Sequence, residues 1–219
     1  MATRKISFEI GEYYHLYTRG IEKRAIFLDV YDYRYFLYLM YLCNTKKPIR
    51  IKSLDEKFER GETIVDIGVY CLMSNHIHIL VHEKTKKGIS TYMLKLLTAY
   101  SMYFNLKYKR TGRLYESTFK SSYIGNDDRY LKYLYAYIHL NPVKLIDKNW
   151  KEHPTKNTKD LWKFISEYEY SSLQEYLKTE IGLKRKIINP SAFPLYFKTS
   201  LDHKQELFDW LTLQGTLQG

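Results

Sequence analysis

An α+β fold on a single antiparallel sheet is predicted by three features of the chain. Strand-like and helix-like segments follow one another in the order β-α-β-β-α-β, with a further helix after them. Ser74-Asn75 sits between two β-branched apolar runs, which is a tight-turn signal for an antiparallel pair. Two long stretches without Gly or Pro are apolar enough to be buried helices.

Phe8 to Thr18 is rich in Tyr with local alternation and reads as the first strand, ended by Arg19-Gly20. Asp32 to Cys43 has no breaker and reads as a buried helix. Asn44 to Glu62 is polar, contains Pro48 and Gly61, and reads as a loop with room for a short element. Thr63 to Met73 and His76 to His82 are the second and third strands. Glu83 to Gly88 is a charged loop, and Ser90 to Tyr108 is a long helix with Ser90 as its candidate N-cap. Thr111-Gly112 breaks that helix, and Tyr115 to Ile124 reads as a fourth strand. Asn126-Asp127-Asp128 caps a helix over Arg129 to Leu140, which Pro142 stops. The first six elements match the split βαβ, ferredoxin-like arrangement with helices on one face of the sheet. The helix from Arg129 is an addition to it.

After Trp150 the character changes. Lys151 to Lys159 is polar and basic, Leu173 to Lys178 reads as a short helix, and Leu201 to Leu213 as a last amphipathic one. Asn189-Pro190 and Pro194 interrupt the segment between them. The chain therefore divides into a core over residues 1–150 and a helical C-terminal extension over residues 151–219 that packs on it. No repeat or low-complexity tract is present.

The 219 residues carry 35 Lys+Arg against 24 Asp+Glu, a formal net charge of +11. Such a balance suits a polyanionic partner, with nucleic acid first and an anionic membrane second. A solvated lysine surface gives the same count. The 23 tyrosines are unusual for this length. Most must be half-buried packing residues, although tyrosine also stacks on bases and serves as a nucleophile. Cys43 and Cys71 lie in apolar runs without CxxC spacing and read as reduced core residues. There is no apolar signal core and no run near 18 apolar residues, so the expectation is a soluble intracellular protein.

Chemistry enters with His76 and His78. At i and i+2 on a strand they share a face, while Ile77, Ile79 and Val81 point to the other. Two adjacent imidazoles form half of a divalent metal site, although such pairs also arise in sheets without any metal. His82 shares that face one residue pair further on, as an alternative ligand or a surface residue. On the helix from Arg129, Tyr137 and Asn141 are i and i+4 and so one turn apart, with Tyr130 and Tyr133 on roughly the same side. If this helix crosses the sheet near the histidines, Asn141 brings an oxygen ligand and Tyr137 lies beside the metal. A Tyr-rich core helix with Asn141 as a simple C-cap fits the same spacing.

Three segments in order carry a family resemblance: Met73-Ser74-Asn75-His76-Ile77-His78-Ile79-Leu80-Val81, Gly112-Arg113-Leu114, and Tyr137-Ile138-His139-Leu140-Asn141-Pro142-Val143. The first looks like the His-hydrophobe-His (HUH) motif of single-strand DNA endonucleases. Together they resemble the Y1 transposases of the IS200/IS605 type, and most closely the REP-associated tyrosine transposases. Tyr14-His15-Leu16-Tyr17-Thr18-Arg19-Gly20, Asp32-Tyr33, Phe36 and Tyr170-Ser171-Ser172 also fit, so the resemblance spans roughly residues 8 to 178.

The resemblance implies the HUH endonuclease fold and a metal-dependent single-stranded DNA endonuclease and strand-transferase that cuts next to hairpins. It makes His76, His78 and Asn141 the ligands of Mg²⁺ or Mn²⁺ and Tyr137 the nucleophile that forms a 5′-phosphotyrosine. Tyr133, one turn earlier, is the alternative nucleophile. Arg19, Lys107, Lys109, Arg110, Arg113, Lys120 and Lys144 are the candidate DNA contacts, to which Lys148 and Lys151 add, although each also suits a solvated surface. His15 is expected to be structural or near DNA, and His139 to lie on the helix surface. The implied partner is hairpin-bearing single-stranded DNA of the REP or palindromic kind, with no membrane. The implied setting is a cytoplasmic, nucleoid-associated prokaryotic protein. An extension of this kind points to a monomer, with a dimer as the alternative.

Two positions depart from the family pattern. Ser74 stands where Pro is common, and Thr118 where many members have an arginine before Phe-Lys, so one DNA contact is in doubt. A relaxase or replication-initiator nickase sharing the HUH site, and a hairpin-binding protein without turnover, are the competing readings.

Overall fold

The computed structural model describes residues 7–49, 59–125, 127–150, 157–177 and 182–213. Lys151, Lys178 and Asn126 lie outside them, as do residues 50–58 of the loop between the first helix and second strand.

The sheet has four antiparallel strands, β1 (Tyr13–Arg19), β2 (Val65–Met73), β3 (His76–Glu83) and β4 (Lys120–Tyr123), in the order β2-β3-β1-β4. Two helices, α1 (Val30–Cys43) and α2 (Gly88–Lys107), complete the expected split βαβ arrangement. Strand alternation sends Tyr14 and Leu16 of β1 and Ile77, Ile79 and Val81 of β3 into one core with Phe36, Met40, Tyr92, Leu96 and Tyr100 of the two helices. His15, Tyr17 and Arg19 and His76, His78 and Leu80 consequently turn to the opposite face.

That second face carries α3 (Asp128–His139), whose Leu131, Leu134, Tyr135 and Ile138 pack on Val69, Cys71, Met73 and Leu80. A β-bulge in β2 between Ile67 and Tyr70 re-aims the strand, so Ile67 and Tyr70 serve the first core and Val69, Cys71 and Met73 the second. The bulge contains Gly68, where a Cβ would come within 2.9 Å of the Phe193 ring.

The extension contributes α4 (Thr158–Glu167), α5 (Leu173–Leu177), α6 (Leu183–Ile187) and α7 (Ser200–Leu213). Leu161, Ile165, Leu173, Leu207 and Leu211 form a third cluster with Ala136 and Leu140, on the side of α3 away from the sheet. The extension also finishes the β2 edge. Leu72 N–H donates to the Tyr170 carbonyl (2.9 Å), Ser172 N–H to that of Tyr70 (3.0 Å) and Asn189 N–H to that of Ile67 (2.8 Å). An edge strand with every residue buried is thereby relieved of unpaired backbone groups.

Several element boundaries differ from expectation, each for a local reason. The first strand begins at Tyr13, because Gly11 turns the chain at φ +90°. The long helix begins at Gly88 rather than after Ser90. Its first turn is capped from outside by the buried carboxylate of Glu83, which accepts from Ile89 N–H at 2.7 Å. The fourth strand is shortened to Lys120–Tyr123, with Tyr115 making only an isolated bridge to Gly20. α4 and α6 were not foreseen. The expected cap of α3 is present as Asp127, whose carboxylate accepts from Tyr130 N–H at 2.9 Å.

Candidate active site between the sheet and α3

β3 places His76 and His78 on the face that α3 covers. Asn75 Nδ2 donates to the Lys23 carbonyl (3.0 Å), which turns its Oδ1 toward His76 Nδ1 at 2.6 Å. A carbonyl oxygen can only accept, so His76 carries its proton on Nδ1 and keeps Nε2 as a lone pair. His78 Nδ1 lies 2.9 Å from His15 Nε2. Burial holds His15 and His76 at about 4, and His78 well below its ordinary value. The charges of Arg19 and Lys144 push His76 and His78 down further. All three imidazoles are neutral at pH 7, the form that can ligate.

α3 ends beside them. The Tyr137 ring is edge-on to His78 with centroids 5.6 Å apart, and 6.0 Å from His15. Asn141 is 1% exposed, and its Nδ2 donates to the Tyr137 carbonyl at 2.9 Å. The cap that the sequence offered is therefore present, and it does not use the amide oxygen. The amide caps the helix, while Oδ1 is buried with no hydrogen-bond partner. Asn141 also bears on both neighbours: it opposes the fall in the His76 pKa, and it opposes the rise that burial imposes on the Tyr137 hydroxyl.

An orphaned amide oxygen next to two neutral imidazoles fits a divalent cation of intermediate hardness. Among the described residues no three His, Cys, Asp or Glu side chains gather as a metal group. His82 is a separate feature. It lies toward the far end of β3 and pairs with Asp66 at 3.4 Å.

The cations divide by face. Arg19 pairs with His76 across β1 and β3, and Lys144 Nζ is 5.8 Å from the Tyr137 ring centroid, its own pKa lowered by burial and by Arg19. Lys120 is the register partner of Tyr17, which in turn partners His78, so it lies on the same face. Arg113 is exposed in a loop tied to the Arg19 end of β1 through Ile21 N–H to Leu114 O and Glu116 N–H to Arg19 O, both 3.0 Å. Lys107 is elsewhere, in ion pairs with Asp29 (2.8 Å) and the fully buried Asp32 (2.7 Å). Lys109 has φ +51° just past the end of α2, and Arg110 lies over Phe104. These three belong to the α1/α2 side.

His139 corrects an expectation. It is fully buried, with Nε2 2.9 Å from Ser172 Oγ and Nδ1 3.2 Å from His203 Nε2, because the extension covers that side of α3. Tyr133 packs on Trp210 of α7 at 4.9 Å. The residue that sequence reading undervalued is His15. Its place in the alternation Tyr13, His15, Tyr17, Arg19 was a visible signal, whereas its contact with His78 depends on the β1/β3 register.

The family model for IS200-like transposases matches residues 13–141, from the start of β1 to the amide beside Tyr137. The chain belongs to the IS200-like transposase family. A solved REP-associated tyrosine transposase bound to a REP hairpin has a similar fold: TM-score 0.53, 13% identity, 84% of this chain and 90% of that one covered. Among curated proteins no sequence relative matches. The matched span contains every residue of the constellation except Lys144. Among the described residues no helix is long and apolar enough to cross a membrane.

Proposed function

We propose that the protein cuts and rejoins single-stranded DNA beside hairpins, with Tyr137 as nucleophile. The observation that carries the reading is the convergence at one place of Tyr137, two neutral imidazoles and the orphaned Asn141 oxygen. His76, His78 and Asn141 would hold Mg²⁺ or Mn²⁺, which supplies positive charge to the oxygens of the scissile phosphate. Hairpin DNA as substrate is supported by the solved relative, which was seen with a REP hairpin.

Tyr137 Oη forms a bond to phosphorus as the bond from phosphorus to the 3′ oxygen breaks. The 5′ phosphate stays on the tyrosine, and the departing oxygen gains a proton in exchange for the one the phenol gives up. The diester count is conserved, so a second 3′-OH can attack the phosphotyrosine and rejoin strands without an external energy source. Burial raises the pKa of Tyr137, so the resting hydroxyl is protonated. Lys144 and Arg19 place positive charge where the phenolate and the phosphate gather negative charge. Lys120 and Arg113 extend that positive surface along the path of a bound strand.

The test uses single-stranded hairpin oligonucleotides incubated with Mn²⁺ and run on denaturing gels. A protein band shifted by covalent DNA, dependent on metal and absent in Tyr137→Phe, is the expected result. Tight hairpin binding with no cleavage across a broad panel would replace this reading with a binding-only one.

A further inference from the structure

The two imidazoles of the site are oriented by different partners. His76 has its tautomer set by the side-chain carbonyl of Asn75, itself anchored on the Lys23 backbone. His78 has no carbonyl or carboxylate on its Nδ1. The atom 2.9 Å away is Nε2 of His15, a group able to donate or to accept.

His15 and His78 are diagonal neighbours across strands, since His15 pairs with Leu80 and His78 with Tyr17. The rings are nearly parallel, 23° apart with centroids separated by 5.0 Å, and exposure is 6% for His15 and 8% for His78. Packing thus holds the pair in one geometry. Only one proton can lie between the two nitrogens. For His78 to offer Nε2 as a lone pair, that proton must belong to His78 Nδ1, and His15 must accept it. The opposite arrangement puts the proton of His78 on Nε2 and closes the site.

We infer that His15 is the positioning residue of the site: its Nε2 accepts from His78 Nδ1–H, which fixes His78 in the tautomer that can ligate. The inference rests on the proposed function for its consequence, but the hydrogen bond is testable without DNA cleavage. Partners on the remote nitrogen of a metal-binding histidine change metal affinity by about 10–100-fold when removed.

The experiment is Mn²⁺ titration of the DNA-free protein by electron paramagnetic resonance, for wild type, His15→Leu and His15→Gln. It is accompanied by ¹⁵N NMR of the histidine side chains in the metal-free wild type. His15→Leu fills the space without an acceptor and is expected to weaken Mn²⁺ binding about 10–100-fold. His15→Gln restores an acceptor and is expected to recover affinity to within about threefold of wild type. The NMR spectrum is expected to show His78 protonated on Nδ1. Equal Mn²⁺ affinity in wild type and His15→Leu, or His78 protonated on Nε2, would overturn the inference. The spectrum decides the matter even where His15→Leu fails to fold. Failure of wild type to bind Mn²⁺ at all would instead count against the proposed function, and the tautomer would still judge His15.

Discussion

The side chain of Asn141 donates to the backbone carbonyl of Tyr137 at 2.9 Å and leaves its own oxygen buried without a partner. One residue thus ends the helix that carries the proposed nucleophile and leaves a buried lone pair free for the proposed metal. The two roles can be separated. Asn141→Ala loses both, with an expected destabilisation of about 1 kcal/mol from the lost hydrogen bond and a marked fall in Mn²⁺ affinity. Asn141→Asp keeps an oxygen, loses the donor, and is expected to retain Mn²⁺ binding while still being destabilised. Urea unfolding and metal titration on the same samples check both.

Lys144, half-buried 5.8 Å from the centre of the Tyr137 ring, is expected to act on the reaction rather than on metal binding. Lys144→Met should slow single-turnover adduct formation at least about tenfold, or ~1.4 kcal/mol of barrier. Mn²⁺ affinity should stay within about threefold of wild type, since no ligand is touched. Lys120→Met, further along the same face, should instead weaken hairpin binding and lower the slope of log affinity against log salt by about 1.

Acid should destabilise the fold through its buried histidines. His203, 1% exposed in α7, has its pKa lowered by burial to about 4 from 6.5. Between those values the unfolded chain binds the proton and the folded one does not. Stability is therefore complete above about pH 6.5 and is lost as pH falls toward 4, at up to ~1.4 kcal/mol per pH unit for this residue. Urea midpoints measured from pH 7 to 4.5 should decline in wild type and decline less in His203→Phe, where no proton is gained on unfolding.

Lys107 is expected to serve stability rather than DNA. Burial pushes the Asp32 pKa up, but hydrogen bonds from Lys107, Leu28 N–H, Tyr108 and Tyr103 outweigh it and hold the carboxylate ionised. Lys107→Met removes one charged hydrogen bond from that buried carboxylate and should cost about 2 kcal/mol. Hairpin affinity at fixed salt should be unchanged in the same variant, as read by fluorescence anisotropy.

Much of this architecture was legible in local patterns. The Ser74-Asn75 turn and the β-branched runs around it gave the central hairpin, and period-2 alternation put His76 and His78 on one face before any pairing was known. The i, i+4 relation of Tyr137 and Asn141 was equally local. What escaped reading was set by tertiary contact. The bond from His15 to His78 exists only in the β1/β3 register. The burial of His139 depends on an extension that folds back on α3 from far along the chain. In it, α4 is strongly amphipathic with Asn157 as its N-cap and so was open to a sequence reading, whereas the five-residue α6 was not. Lys107 looked like one of several basic residues in a row, and only the packing of α1 on α2 brings Asp29 and Asp32 to it. The amphipathic signal is also weak for helices buried on more than one side, and the carboxylate that caps α2 comes from outside it, from Glu83 at the end of β3.

The role of Tyr137 is tested most directly by where the covalent bond forms. A hairpin oligonucleotide is incubated with the protein and Mn²⁺, the adduct is digested with trypsin and nuclease, and the modified peptide is sequenced by mass spectrometry. A 5′-phosphonucleotide on Tyr137 is the predicted result, with Tyr133→Phe giving the same adduct as wild type. The same mass on Tyr133 or any other residue, or no adduct on DNA that the protein binds tightly and cuts, would contradict it.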